Sequence, residues 1–130
     1  MPCTASFYGG LVKTFRFGAV ADARGSLTPF DFADLGFTPV RAFLVDAPDG
    51  ATRGGHAHRS GRQLLIRVGG EISVETAHQS ENHTFNLTET ENALLIAAPV
   101  WARQLYRGAD ARLLALCDTP YDPASYVAER

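Results

Sequence analysis

Short apolar runs and alternating segments dominate the chain, and this pattern predicts strands rather than helices. Residues 71–75 alternate strictly between polar and apolar side chains, and residues 83–87 repeat the pattern. The side chains that this pattern turns toward a core are Ile72, Val74, Phe85 and Leu87. Four further apolar runs have the length of a strand: 40–45, 63–68, 94–98 and 112–117. Several short strands separated by turn clusters are typical of an all-β sandwich or barrel.

Glycine and proline positions suggest how the strands are connected. Gly69 and Gly70 follow the run 63–68 and predict a hairpin turn, because glycine adopts positive φ at low steric cost. The sequence contains few helix signals, and residues 30–35 fit a single helical turn. Asp122 followed by Pro123 looks like an N-cap and a first helical position, which predicts a short C-terminal helix. Residues 11–17 are a candidate edge strand for exchange between subunits.

Composition narrows the class of protein. With 130 residues and 45% hydrophobic content, residues 1–130 are expected to form a single domain. A net charge of -2, with scattered charges, argues against a nucleic-acid partner. No apolar run approaches the roughly 18 residues that span a bilayer, and residues 1–20 lack the apolar core of a signal peptide. Two cysteines do not make a disulfide framework, so a cytoplasmic location is expected, with Cys117 buried.

The segment 53–59, which reads Arg-Gly-Gly-His-Ala-His-Arg, carries the candidate chemistry. On a strand, His56 and His58 would point to the same face, roughly 6.6 Å apart along the chain. Imidazole has a pKa of about 6.5, so each ring can donate or accept a proton near neutral pH. Arg53 lies close by, and an arginine fork suits phosphate oxygens. The simpler alternative is two exposed histidines beside a loop.

A metal site is a second interpretation of the two histidines. Cupins often place His-x-His six residues after a glycine and follow it with a glutamate, and Gly50 and Gly70 fit that spacing. Gln63 replaces the glutamate, however, and glutamine is a weak neutral ligand. The region 99–103, where a second motif would supply another histidine, contains none. Because catalytic zinc usually has three protein ligands, neither a metal nor another cofactor is predicted.

Several segments together resemble the dTDP-sugar 3,4-ketoisomerases, also called the WxcM-like family, of the cupin superfamily. Residues 22–27 resemble its Asp-x-Arg-Gly-x-Leu segment, and 53–59 its Arg-Gly-x-His-Ala-His segment. Three further matches run to the C-terminus: Gln63, Pro99-Val100-Trp101, and Tyr121-Asp122-x-x-x-Tyr126. The resemblance implies a cupin jelly-roll β-barrel, usually a homodimer, that needs no metal.

The same resemblance implies an activity and site residues. Members move a keto group between C4 and C3 of a nucleotide-linked 6-deoxy-hexose: a base removes the C3 proton, an enediolate forms, and a proton returns at C4. By similarity His56 and His58 would be acid and base, with a slight preference for His58 as base. The substrate-binding residues would be Arg24, Arg41, Arg53 (at the diphosphate) and Gln63. Arg24 and Arg41 could instead form ordinary surface ion pairs.

Two departures from the family pattern leave other functions open. Ala42-Phe43-Leu44 stands where members commonly carry tyrosines, and Ala102 replaces a histidine after Trp101. Both changes remove polar groups, which would suit a nucleotide-sugar-binding cupin that has lost turnover. Tyr106 is a candidate for a replacement hydroxyl. A cupin epimerase is a further alternative, although no aspartate neighbours the histidine segment. Trp101 is interpreted as a core residue rather than a stacking platform.

Overall fold

The computed structural model describes residues 3–128, and these are almost entirely strand. In that range the elements are β1 (Cys3–Phe7), β2 (Val12–Phe15), β3 (Val20–Asp22), β4 (Gly25–Leu27), β5 (Arg41–Asp46), β6 (Thr52–His58), β7 (Arg62–His78), β8 (Glu81–Leu87), β9 (Ala93–Ala97), β10 (Trp101–Cys117) and β11 (Tyr126–Val127), with 3-10 turns at Tyr8–Gly10, Ala33–Leu35 and Pro123–Ser125. No helix in this range is long and apolar enough to cross a membrane.

One curled antiparallel sheet of nine strands forms the body of the protein. Its main path runs β1-β2-β9-β7-β10-β6-β11, while β5 attaches to β10 and β8 attaches to β7. The two long central strands, β7 and β10, pair with each other over most of their length. Each also pairs with two other strands, one near each end: β9 and β8 on β7, and β5 and β6 on β10. Sharing the long strands in this way curls the sheet, and the predicted cupin jelly roll is confirmed.

The prediction of a hairpin turn at Gly69 and Gly70 is wrong, because strand β7 continues through both glycines. The register with β10 shifts here: Glu71 pairs with Arg107, but Gly69 pairs with Arg112. Gly70 has φ +66°, and a Cβ on it would lie 2.7 Å from both the carbonyl oxygen of Arg107 and the Cα of Ala111. The glycines therefore allow a close approach of β10 at a bulge rather than a turn.

The alternation in the sequence correctly identifies the core-facing side chains. Ile72, Val74, Phe85 and Leu87 are all buried. They belong to a cluster that fills one part of the fold, and a second cluster around Phe15, Phe17 and Leu64 fills another. Trp101 is 5% exposed, as expected for a core residue, and its indole N–H donates to the carbonyl oxygen of Ala128.

The C-terminal segment differs in part from the prediction. Asp122 caps it as expected, accepting a hydrogen bond from the amide of Ala124, but the predicted short helix is a single 3-10 turn over Pro123–Ser125. The chain then becomes extended, and Tyr126 pairs with His58 as β11 joins the edge of β6. This pairing supplies backbone hydrogen-bond partners to β6 and brings the last part of the described chain to the histidine segment.

The N-terminal segment also differs from its predicted place. Residues 11–17 include β2, which is not an edge strand, because β1 pairs on one side of it and β9 on the other. The chain then forms a separate β3–β4 hairpin outside the main sheet. Every residue of the hairpin is exposed, including the directly paired Val20 and Leu27. These apolar side chains have no cover within the described chain.

Candidate active site

His56 and His58 lie on β6 and face the same side of it, as the sequence predicts. Their rings meet edge to face, with centroids 5.3 Å apart. The preceding Gly54 has φ +84°, and a Cβ there would lie 3.1 Å from the carbonyl oxygen of Ala102 on β10. The glycine therefore lets β6 cross close to β10, which aligns His56 opposite Ala102 in the register.

Tyr126 packs against both histidines. Its ring centroid lies 4.5 Å from that of His56 and 4.6 Å from that of His58. Sequence reasoning did not include Tyr126 among the site residues, since it is separated from them by more than half the chain. The signal in the sequence that points to it is the Tyr121-Asp122-x-x-x-Tyr126 motif. These contacts limit the rotation of both imidazole rings.

Three buried polar atoms lack a hydrogen-bond partner in the part of the chain that the structure describes. They are Nδ1 of His56, Nε2 of His58 and the hydroxyl of Tyr106. An unpaired buried polar group costs about 1–3 kcal/mol, and native proteins contain few of them. Because all three residues line cavities, a bound ligand is the simplest source of the missing partners.

Two adjoining cavities meet at the histidines. The first, about 270 Å³, is lined by both histidines and extends to Tyr121 and Asp122. The second, about 490 Å³, is lined by His56 and extends to Arg53 and Tyr106. The residues that line both are Arg41, His56, Gln63, Gln104 and Tyr126. The second volume lies within the range of small-molecule sites, and the shared wall places His56 between the two spaces.

The electrostatic surroundings favour neutral histidines. Burial lowers the pKa of His56 below its ordinary value of 6.5. Burial also lowers the pKa of His58, and the positive charges of His56 and Arg41 lower it further. A proton on His56 therefore opposes a second proton on His58. Both rings are therefore neutral at neutral pH, and each can accept a proton there.

The predicted arginines separate into two groups. Arg41 lines both cavities and has its guanidinium carbon 4.8 Å from the ring centroid of Phe43 and 5.1 Å from that of Tyr121. Among residues 3–128 no described carboxylate pairs with it, so the surface ion-pair alternative does not hold for Arg41. Arg53 is exposed and lines the second cavity.

Arg24 belongs to the other group. It lies on the turn of the β3–β4 hairpin, 90% exposed, with an Nη2 to Oδ2 distance of 2.6 Å to Asp22. It lines neither cavity next to the histidines. The structure therefore does not bring Arg24 to the other predicted site residues within this chain, and its observed contact is the ion pair that was the alternative.

Gln63 and its neighbours complete the polar lining. Gln63 lines both cavities, as its predicted role requires, and its Nε2 donates to Sγ of Cys117 at 3.5 Å. Cys117 is buried as predicted, and burial raises the pKa of its thiol. Gln104 also lines both cavities but was not identified from the sequence. It lies on β10 opposite Arg53, a pairing that no local sequence pattern reveals.

The donor set around the histidines is poor in metal ligands. In the described range no group of three or more His, Cys, Asp or Glu side chains is placed to hold a metal ion. The nearby Gln63 carries only a neutral amide, and among the described side chains no carboxylate forms a hydrogen bond or ion pair with His56 or His58. These residues do not supply the three protein ligands that a catalytic zinc site usually has.

Comparison with known proteins identifies the family and relatives of known activity. A curated TDP-4-oxo-6-deoxy-alpha-D-glucose-3,4-oxoisomerase from Aneurinibacillus thermoaerophilus is 24% identical over 119 residues, 90% of this chain and 86% of that protein. The crystal structure of QdtA, a sugar 3,4-ketoisomerase from Thermoanaerobacterium thermosaccharolyticum in complex with TDP, matches with a TM-score of 0.85 and 27% identity, covering 95% of this chain and 90% of that one.

Two further structures agree. A mutant of QdtA in complex with TDP-4-keto-6-deoxyglucose matches with a TM-score of 0.83 and 26% identity, over 92% of this chain and 88% of that one. The TDP-quinovose 3,4-ketoisomerase WlaRB from Campylobacter jejuni matches with a TM-score of 0.81 and 26% identity, over 91% and 92%. The profile of the family described as FdtA, WxcM-like, C-terminal, matches residues 11–130. The chain therefore belongs to this WxcM-like family.

Proposed function

We propose that the protein is a 3,4-ketoisomerase that acts on a TDP-linked 4-keto-6-deoxy-hexose. The observation that carries the proposal is the pair of buried, unpartnered imidazole nitrogens of His56 and His58, on one face of β6 and at the wall shared by two cavities. Two proton-transfer groups beside a space of ligand size are what enolisation requires. The relatives whose names specify 3,4-ketoisomerisation of TDP sugars support the choice of reaction.

The reaction needs one proton removed from carbon and another returned. His58 takes the C3 proton, the electrons of that bond form the C3–C4 double bond, and the C4 carbonyl oxygen gains negative charge. A proton then passes from the C3 hydroxyl to that oxygen, and the proton on His58 passes to the neighbouring His56. His56 delivers this proton to C4 as the C3 carbonyl forms, so both rings are neutral again at the end of the cycle. The lowered pKa of His58 suits the first step, because a neutral ring is present to accept.

The ligands of the relatives suggest which part of the substrate binds where. TDP and TDP-4-keto-6-deoxyglucose are bound in the QdtA structures. In this chain Arg53 and Arg41 are the cavity-lining arginines with no ion-pair partner among the described side chains, so we assign the diphosphate to them. Arg59 and Arg62 are engaged elsewhere, with the carbonyl oxygen of Ala124 and with Asp118.

Product analysis by proton NMR tests the proposal. The purified protein is mixed with TDP-4-keto-6-deoxyglucose, and we expect the signals of a 3-keto product to appear. His78→Asn is the matched control, because His78 lies at the end of β7 and lines neither cavity next to the histidines. It should convert substrate as the wild type does, whereas a wild type that binds the substrate without forming product would contradict the isomerase proposal.

A binding protein without turnover is the second candidate, and a specific feature favours it. Phe43 and Ala102 line the two cavities with apolar side chains, and Ala102 is paired directly with His56. Tight binding of TDP-sugar with no product would favour this candidate. An epimerase has less support, since within residues 3–128 neither cavity histidine is paired with an aspartate, the arrangement that would favour it.

We also infer a homodimer of single-domain subunits in the cytoplasm. The exposed apolar pair of Val20 and Leu27 on the β3–β4 hairpin, and the edge strand β1, are the surfaces that a second copy would cover. Light scattering coupled to size-exclusion chromatography should give twice the chain mass. Leu27→Asp should shift the mass toward the monomer, whereas a wild type at the monomer mass would contradict the dimer.

A further inference from the structure

Tyr106 combines complete burial with an unused hydroxyl. It lies on β10, its side chain is 0% exposed, and its hydroxyl has no hydrogen-bond partner among the described residues. Its backbone is fully engaged, since the amide donates to Ala51 and the carbonyl oxygen accepts from Gly50. The residue is therefore fixed in place, while its only polar side-chain atom remains unpaired.

The hydroxyl belongs to a residue that lines the larger of the two cavities. The ring of Tyr106 packs within the main core cluster, and the same residue contributes to the cavity wall together with His56 and Arg53. Phe43 on the neighbouring β5 presents no hydrogen-bonding group to this space. Leu65 and Leu113 belong to the same core cluster as Tyr106 and add apolar surface to this cavity. Gln63 and Gln104 also line it, and the Tyr106 hydroxyl is a group of a lining residue that lacks a hydrogen-bond partner among the described residues.

Two polar residues that line this cavity, Arg53 and Tyr106, differ in exposure. Arg53 is exposed, whereas Tyr106 is not. A diphosphate carries charges that favour the exposed cation near solvent, while the neutral oxygens of a sugar can enter the buried space if they find hydrogen-bond partners. Burial raises the pKa of Tyr106 to about 12, even though the charge of Arg53 opposes this. The hydroxyl thus stays protonated at neutral pH and acts as a donor.

We propose that the Tyr106 hydroxyl donates a hydrogen bond to an oxygen of the sugar ring bound beside His56, and that Tyr106 is a substrate-binding residue. The inference rests on the proposed function, because it takes the ligand to be a nucleotide-linked sugar. Ligand binding would then supply the partner that the hydroxyl lacks. It would also anchor the end of the sugar that lies away from the exposed arginine.

The test compares Tyr106→Phe with Tyr8→Phe. Tyr8 is the matched control, since its hydroxyl already hydrogen-bonds Thr76 at 2.9 Å and it lines neither cavity beside the histidines. Both changes are made in a His58→Asn background, and calorimetry measures the affinities for TDP and for TDP-4-keto-6-deoxyglucose. Tyr106→Phe should weaken binding of the TDP-sugar about five- to tenfold and leave TDP affinity within twofold. Tyr8→Phe should leave both affinities unchanged.

Urea unfolding without ligand separates binding from structure. Tyr106→Phe should keep or raise the midpoint, because it removes an unpaired hydroxyl, whereas Tyr8→Phe should lower it. Unchanged affinity for the TDP-sugar in Tyr106→Phe would overturn the inference, as would equal weakening of TDP, which would place the hydroxyl on the diphosphate. A lower urea midpoint in Tyr106→Phe, with unchanged affinity for the TDP-sugar, would indicate that the hydroxyl bonds an ordered water instead of the ligand.

These results are separable from the proposed function. Normal turnover by the wild type with normal TDP-sugar affinity in Tyr106→Phe would overturn only the role of Tyr106. Absence of turnover in the wild type, with TDP-sugar binding weakened by Tyr106→Phe, would overturn the isomerase and keep the binding role. A wild type that does not bind the TDP-sugar at all would overturn both.

Discussion

Tyr126 of β11 lies with its ring centroid 4.6 Å from that of His58, the residue with which it also pairs along β6. The same ring is 4.5 Å from His56, so one tyrosine supports both imidazoles. The support comes from the C-terminal part of the described chain, which the Asp122 cap directs toward β6. Packing of this kind supports the orientation of both rings, while Nδ1 of His56 and Nε2 of His58 have no hydrogen-bond partner among the described residues.

Removal of the Arg53 guanidinium should weaken nucleotide binding. We expect Arg53→Ala to reduce TDP affinity by about 1.5–3 kcal/mol, roughly 10- to 150-fold, because a charged hydrogen bond to the diphosphate is lost. Isothermal titration calorimetry measures this directly. Arg16→Ala is the control, since Arg16 is exposed, donates to the carbonyl oxygen of Thr90 and lines neither cavity beside the histidines. Equal affinities in the two variants would give Arg53 a structural role instead.

The pH dependence of kcat/KM should reflect the buried histidines. The pKa of His58 lies below 6.5, so activity should be constant through neutral pH and fall on an acid limb below 6.5. Arg41→Gln should move this limb to higher pH, because it removes one positive charge that lowers the pKa of His58. A limb at or above pH 6.5 in the wild type, or one unmoved by Arg41→Gln, would contradict the assignment of His58 as base.

The same pKa shifts should affect stability. For both histidines the folded-state pKa is lower than the unfolded value, so the unfolded chain binds more protons between the two values. The contribution to stability is therefore complete above pH 6.5 and is lost as the pH falls through the folded pKa. The free energy of unfolding of the wild type should decline over this window more steeply than that of a His56→Asn/His58→Asn variant, as urea titrations at several pH values can measure. Equal slopes would contradict the shifts.

Turnover should be independent of metal. His56 and His58 have only the neutral amide of Gln63 as a further candidate ligand nearby, and the described side chains provide no group of three ligands. We expect dialysis against a chelator to leave kcat within experimental error of the untreated enzyme. Loss of activity that a single divalent ion restores would contradict this expectation and revive the metal-dependent interpretation of the histidine motif.

Gly70 should be required for stability rather than for chemistry. At φ +66° an alanine is strained, and its Cβ would lie 2.7 Å from backbone atoms of Arg107 and Ala111. We expect Gly70→Ala to lower the free energy of unfolding by about 1–3 kcal/mol. Gly18→Ala, where nothing lies within 4 Å of the added carbon, should change it little. Equal urea midpoints for the two variants would show that the bend tolerates a side chain.

The sequence was sufficient for the strands and for the histidine pair, because both depend on local periodicity. Alternation identified Ile72 and Val74 as core, and the two-residue spacing put His56 and His58 on one face. The sequence pattern gave the wrong element at Gly70, since a glycine with positive φ suits a hairpin turn and a bulge within a strand equally well. The close packing of β10 against Gly70 produces the bulge, and this tertiary contact is not visible in the local sequence.

Residues contributed by distant strands could not be found from local pattern. Gln104 reaches the cavity because β10 pairs with β6, and Tyr126 because β11 does. Arg24 and Arg41 look alike in sequence, yet one is paired with Asp22 in an exposed hairpin and the other is stacked on aromatic rings at the cavity. What distinguishes them is the register and tertiary contact of their strands.

The most direct test of the histidine-mediated enolisation is proton NMR in deuterated buffer with TDP-4-keto-6-deoxyglucose. The wild type should introduce deuterium at C3 of the remaining substrate and at C4 of a 3-keto product. His58→Asn should abolish both signals while TDP affinity stays within a few-fold of the wild type, because the histidine acts on the sugar and the arginines hold the phosphates. Exchange and product formation at the wild-type rate in His58→Asn would contradict the account.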